Sequence, residues 1–90
     1  MTTRYVRHPD LRHTAVDGEG IVLHLGSRRY FSVNETGVVL LEALVTPRSV
    51  DELVTTLTDA YRVSPDDARR SVVTFLERCA AAKLVVAEES

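Results

Sequence analysis

The sequence has little of what usually announces chemistry or a special environment. One cysteine, Cys79, occurs in 90 residues, so an internal disulfide framework of the kind small secreted domains use is excluded. It falls in an apolar helical pattern and reads as a buried structural thiol in a reducing compartment. There are only four glycines and three prolines, and 44% hydrophobic with 27% charged residues is ordinary globular composition, which argues against disorder along the chain. Long hydrophobic runs are missing as well. The longest, VVLLEALV over residues 38–45, is broken by Glu42 and is too short to span a bilayer. The N-terminal stretch MTTRYVRHPDLRH has charge but no apolar targeting segment. A cytoplasmic protein without a membrane partner is expected.

Catalytic signatures are also wanting. His8, His13 and His24 have no cysteine or carboxylate at metal-ligand spacing, and there is no glycine-rich phosphate loop, nucleophile elbow or HExxH. Ser27, Ser32 and Thr36 offer hydroxyls, but no pattern supplies an activating base. Asp66 and Asp67 are accounted for as helix-capping charges. The expectation is a protein that is not an enzyme and takes no metal or cofactor.

What is present is one small domain, 1–90, with a core over about 8–86 and frayed polar tails at Met1–Thr3 and Ala87–Ser90. The net charge of −2 is unevenly spread. Residues 1–34 hold five basic against three acidic side chains, and residues 35–90 hold six against ten. The pattern predicts strands over 11–16, 21–25 and 28–33. In the second, Ile21, Leu23 and Leu25 share one face, with Val22 and His24 on the other. A turn at Gly26–Arg28, with Gly26 free to take a positive φ, would join the second strand to the third. The third strand sets Arg29, Phe31 and Val33 against Arg28, Tyr30 and Ser32.

Asn34 caps a change of period, and Thr36–Val45 follow a helical pattern with Val38, Leu40, Leu41, Leu44 and Val45 at spacings of three and four. That helix is apolar nearly all round and should be the most buried. Ser49-Val50-Asp51-Glu52 is a capping box that opens a second helix with Val50, Leu53, Val54, Leu57 and Tyr61 on one stripe. Ser64-Pro65-Asp66-Asp67 opens a third, running to about Lys83, with Ala68, Val72, Phe75, Leu76 and Cys79 inward and Val73 and Ala80 on its flank. A short extended tail follows at Leu84–Val86. Strands followed by helices give an α+β fold: a three-stranded antiparallel meander and then a three-helix, winged helix-turn-helix-like bundle.

The last strand of a meander leaves a row of backbone groups unpaired. Arg28 and Arg29 either blunt that edge or flank an edge open to another chain. At this point the residues resemble a known family. RRYFSVNETGVVLLEAL, then SVDELVTTL followed by Tyr61, then a Pro-Asp-capped helix ending AAKLV, are similar to the PqqD-like peptide-recognition domains of ribosomal peptide natural-product pathways. The pattern falls on Tyr30, Val33-Asn34-Glu35-Thr36, residues 38–44 and Ser49–Glu52, and it covers about residues 8–86.

The resemblance implies a non-catalytic module that binds the leader segment of a precursor peptide as a fourth strand on 28–33, beside the helix 65–83. It looks most like the stand-alone proteins of lasso-peptide pathways, which serve a leader peptidase and then a macrocyclase. The peptide-binding residues it implies are Arg28, Arg29, Tyr30, Phe31, Ser32 and Val33 from the strand. From the helix they are Arg69, Arg70, Val73, Leu76, Glu77 and Ala80. One alternative is delivery of the peptide to a radical or other tailoring enzyme. Two others are a small interaction subunit of unrelated purpose and a winged-helix DNA-binding protein. The acidic helical half, with Asp66, Asp67 and Glu77 on the third helix, opposes phosphate binding, so no nucleic-acid partner is expected.

Overall fold

The computed structural model describes residues 2–17 and 19–89. In chain order the elements are β1 (Thr3–Arg7), β2 (Leu11–Val16), β3 (Glu19–His24), β4 (Arg29–Val33), α1 (Glu35–Ala43), β5 (Arg48–Ser49), α2 (Val50–Ala60), α3 (Pro65–Ala81) and β6 (Val85–Glu89). The α+β class and the meander are as expected: β2, β3 and β4 pair antiparallel in that order. A second antiparallel sheet, β5-β1-β6, was not. The termini expected to fray are paired instead, with Thr3 opposite Glu89, Arg4 opposite Glu88 and Tyr5 opposite Ala87. Met1 and Ser90 lie outside the described residues.

The face of β3 that meets the helices carries Gly20, Val22 and His24, not the three-residue Ile/Leu set. Val22 and His24 are buried, whereas Ile21 and Leu25 are 53% and 43% exposed. Gly20 supplies the reason. A Cβ there would lie 2.6 Å from Val38 Cγ2 and 2.8 Å from Val33 Cγ2, so α1 seats on the strand at a point where any side chain would force those methyls to shift. His24 is accommodated by its contacts: its ring centroid lies 4.7 Å from that of His8, and its Nδ1 accepts from the Ser27 N–H at 3.2 Å.

The turn between β3 and β4 also differs from expectation. Leu25 belongs to it, and Arg28, not Gly26, takes the positive φ, at 58°. The Arg28 N–H donates to the His24 carbonyl at 2.7 Å, which closes a four-residue loop before Arg29 pairs with His24.

In α1, four of nine residues are buried, against three of eleven in α2 and four of seventeen in α3, so α1 is the central helix. The Asn34 side chain accepts from the Gly37 N–H at 2.9 Å. The helix stops at Ala43, earlier than its apolar run, and Val45 is left 61% exposed. Its last carbonyls are claimed from outside: the Arg7 N–H of β1 donates to Leu44 O at 2.9 Å, and Arg48 Nε donates to Ala43 O at 3.2 Å.

Both halves of the capping box form in α2. Ser49 N–H donates to Glu52 Oε1 at 2.9 Å, and Ser49 Oγ accepts from Glu52 N–H at 3.2 Å. The Ser64 hydroxyl caps α3 by accepting from Asp67 N–H at 3.2 Å. That helix ends at Ala81, with Lys83 at φ 62° and Leu84 N–H returning to Cys79 O at 2.8 Å. The largest fully buried side chains of the core, Leu11, Val22, Leu40, Leu41, Leu44, Leu53 and Val72, come from both the meander and all three helices.

Two stability predictions follow from this packing. Gly20→Ala should destabilise the fold by about 1–3 kcal/mol through overpacking. Adding Val38→Ala should restore part of the loss in urea titrations, and additive losses would mean that the two sites do not share the contact. The second concerns Glu52. The Ser49 N–H bonded to its carboxylate, followed by the charge of Arg4 at 3.5 Å and of Arg48, holds it below its ordinary value of 4.5 against the opposing effect of desolvation. A carboxylate depressed on folding adds stability above its unfolded value, and that stability is lost as pH falls through the folded one. Glu52→Gln should therefore lower the denaturation midpoint at neutral pH, with the gap from the unsubstituted protein closing in acid below 4.5. A gap that is constant with pH would assign the effect to shape instead of charge.

Candidate functional site

The site begins with the backbone of β4. The tight reversal from Val16 to Glu19, which are paired with each other, makes that pair a hydrogen-bonded one, and antiparallel ladders alternate from there. Glu19, Ile21 and Leu23 thus address β2, while Gly20, Val22 and His24 address β4. Their partners Val33, Phe31 and Arg29 spend their backbone groups inward. Tyr30 and Ser32 direct their N–H and C=O groups to the outer edge, and the described sheet ends there.

That edge opens into a groove of about 650 Å³. Phe31, Ser32 and Val33 of β4 form one wall, with Asn34, Thr36 and Gly37 continuing it along the start of α1. The opposite wall is one face of α3: Arg70, Ser71, Thr74, Phe75 and Arg78, completed by Cys79 and Ala82. Leu40 and Leu84 lie in its lining. Gly37 shapes the corner between the walls, because a Cβ there would stand 3.1 Å from both the Phe75 ring and Val33 Cβ. Arg29 lies over the Phe31 ring at 5.5 Å from its centroid.

The residues expected from sequence to act together are distributed as follows. Phe31, Ser32, Val33 and Arg70 line the groove. Tyr30, 72% exposed, stands on the outer face of the sheet, and Arg28 sits in the turn. Val73, Leu76, Glu77 and Ala80 are not brought to this groove. With Tyr5 and Val50 they line a separate cavity of about 170 Å³ on the other side of α3. Arg69 pairs with Asp51 of α2. Sequence reasoning overlooked Asn34, Thr36, Ser71, Thr74 and Arg78 as groove residues and took Phe75 only as core. The helical period held the signal. The core stripe of α3 has two flanks, 69-73-77-80 and 71-74-78-82, and they are equivalent until the helix is placed against the sheet.

Chemically, the groove pairs an apolar interior with hydroxyls from Ser32, Thr36, Ser71 and Thr74, and its lining has no histidine or carboxylate to activate them. Burial pushes the Cys79 thiol up to about 11, which keeps it protonated and poorly nucleophilic at neutral pH. Among the described residues no three histidine, cysteine or carboxylate groups converge as a metal site, and no helix is long and apolar enough to cross a membrane. An unpaired strand edge beside an apolar trough is suited to holding an extended chain.

No curated protein matches the sequence. Two solved structures share the fold. One is described as TbiB1 in complex with the TbiA(beta) leader peptide: 21% identical, TM-score 0.80, covering 94% of this chain and 99% of that one. The other is described as lasso peptide synthetase B1 complexed with the leader peptide: 20% identical, TM-score 0.75, covering 91% and 96%. The family model of coenzyme PQQ synthesis protein D (PqqD) matches residues 19–85, from the first residue of β3 to the first of β6. With β3, β4, the central α1 and the groove-lining α3 all inside that match, the chain belongs to the PqqD family.

Proposed function

We propose that this protein is a peptide-recognition domain of ribosomal peptide biosynthesis in the cytoplasm. It takes the leader segment of a precursor peptide as a fourth strand on β4, in the groove beside α3, and catalyses no reaction itself. It passes the bound precursor to a leader peptidase of the lasso-peptide type. The observation that carries this reading is the outward edge at Tyr30 and Ser32 opening into the groove. Its support is that two solved structures of similar fold are described as leader-peptide complexes.

Magnitudes divide the work between edge and groove. Two outward residues offer four backbone groups, and at about 1 kcal/mol net for each hydrogen bond they supply about 4 kcal/mol. Micromolar affinity needs about 8 kcal/mol, with the ordering of the peptide to be overcome as well. The edge sets register, and apolar side chains of the guest in the groove supply most of the affinity.

Proline scanning tests the strand addition. With the leader of the precursor encoded alongside the protein, Tyr30→Pro and Ser32→Pro should weaken binding in calorimetry well beyond the alanine variants, because each removes an outward donor. Phe31→Pro should instead damage the fold, since its amide serves the ladder with Val22. Circular dichroism separates the two effects. Native Tyr30→Pro and Ser32→Pro variants that bind like the unsubstituted protein would rule out pairing on β4.

A second measurement addresses catalysis. Precursor incubated with the purified protein alone should keep its mass by mass spectrometry, and cleavage or modification by a clean preparation would overturn the assignment.

A further inference from the structure

The charge of the groove runs against the charge of its surroundings. Residues 35–90 carry six basic and ten acidic side chains, yet the groove lining contains Arg70 and Arg78 and no acid. The acids of α3 are placed elsewhere. Asp66 and Asp67 occupy its first turn, and Glu77 faces the small cavity on the far side. Arg69 lies outside the groove lining and pairs with Asp51, and Arg78 forms no ion pair among the described residues. Arg70 reaches Asp67 at 3.2 Å, but both side chains are largely exposed, so that pair is weak and exchangeable. A cation in the last turn of α3 complements the helix dipole, which accounts for Arg78 alone and not for a lining without acids.

We infer that the groove selects an anionic guest: an extended peptide with the pattern acidic-x-apolar-x-acidic, its two carboxylates meeting Arg70 and Arg78. This deepens the reading of the groove as a peptide site and rests on it. The spacing follows from two rises. Eight residues of α3 separate the arginines by about 12 Å, and a strand advances about 3.3 Å per residue, so about four residues of guest span the gap. An even number keeps both carboxylates on one face of the guest strand. The residue midway shares that face and comes opposite Phe75, which lies between the arginines on α3 and lines the groove with Phe31. The pattern is symmetric, so it holds for either direction of the guest.

A random peptide library displayed on phage and panned against the full chain, and in parallel against the Arg70→Gln/Arg78→Gln double variant, tests this directly. The unsubstituted chain should enrich acidic residues four apart around an apolar one. The double variant, native by circular dichroism, should keep the apolar preference and lose the acidic one. Selected peptides should bind each single variant about three- to fivefold more weakly, the range expected of exposed ion pairs, and changing their acids to amides should erase that difference. Peptides that are sensitive to Ser32→Pro but show no acidic preference, or an equal preference on the double variant, would overturn this inference and leave the groove reading standing. Enrichment of nothing, or only of peptides indifferent to Ser32→Pro, would overturn both.

Discussion

The seating of α1 on the meander is the constraint from which the rest of the molecule follows. Gly20 leaves no side chain between β3 and Val38, so the most buried helix lies directly on the sheet and its N-terminal turn starts at the end of β4. Gly37 repeats the device one turn in, against Phe75 and Val33, and thereby fixes how near α3 comes to β4. The groove is the space left over. Two missing methyl groups help set its width, one at Gly20 beneath α1 and one at Gly37 in the lining itself.

Much of this was legible in the sequence. The change of period at Asn34, the reciprocal Ser49–Glu52 cap and the Ser64-Pro65 start are local signals, read over a few residues, and the structure has helices beginning at those caps. Strand β1 had no such signal. Its Tyr5 and Val6 lie between arginines, and its partner β6 is some eighty positions away in the chain. The buried face of β3 was illegible for a related reason. Counting apolar residues favours Ile21, Leu23 and Leu25, whereas the face that packs is chosen by the absence of a side chain at Gly20, which matters only once α1 is on it.

The groove wall shows the same division. Period alone finds the core stripe of α3 through Ala68, Val72, Leu76 and Cys79. It cannot say which flank of that stripe looks toward β4, because the choice depends on the hand with which the helix crosses the sheet. The strand wall of the groove could therefore be reached from sequence, since an edge is an edge whatever lies beside it. The helix half required the tertiary arrangement, and with it came the pair of arginines that gives the trough its charge.

The pairing of β1 with β6 has a mechanical meaning. Thr3 and Glu89 are opposite one another at the open end of an antiparallel ladder, so a pull applied at the two ends would load its bonds singly, as a zipper, and not together in shear. The chain enters and leaves at neighbouring points on one border. A domain with that geometry can be set into a surface loop of a larger protein without stretching the host.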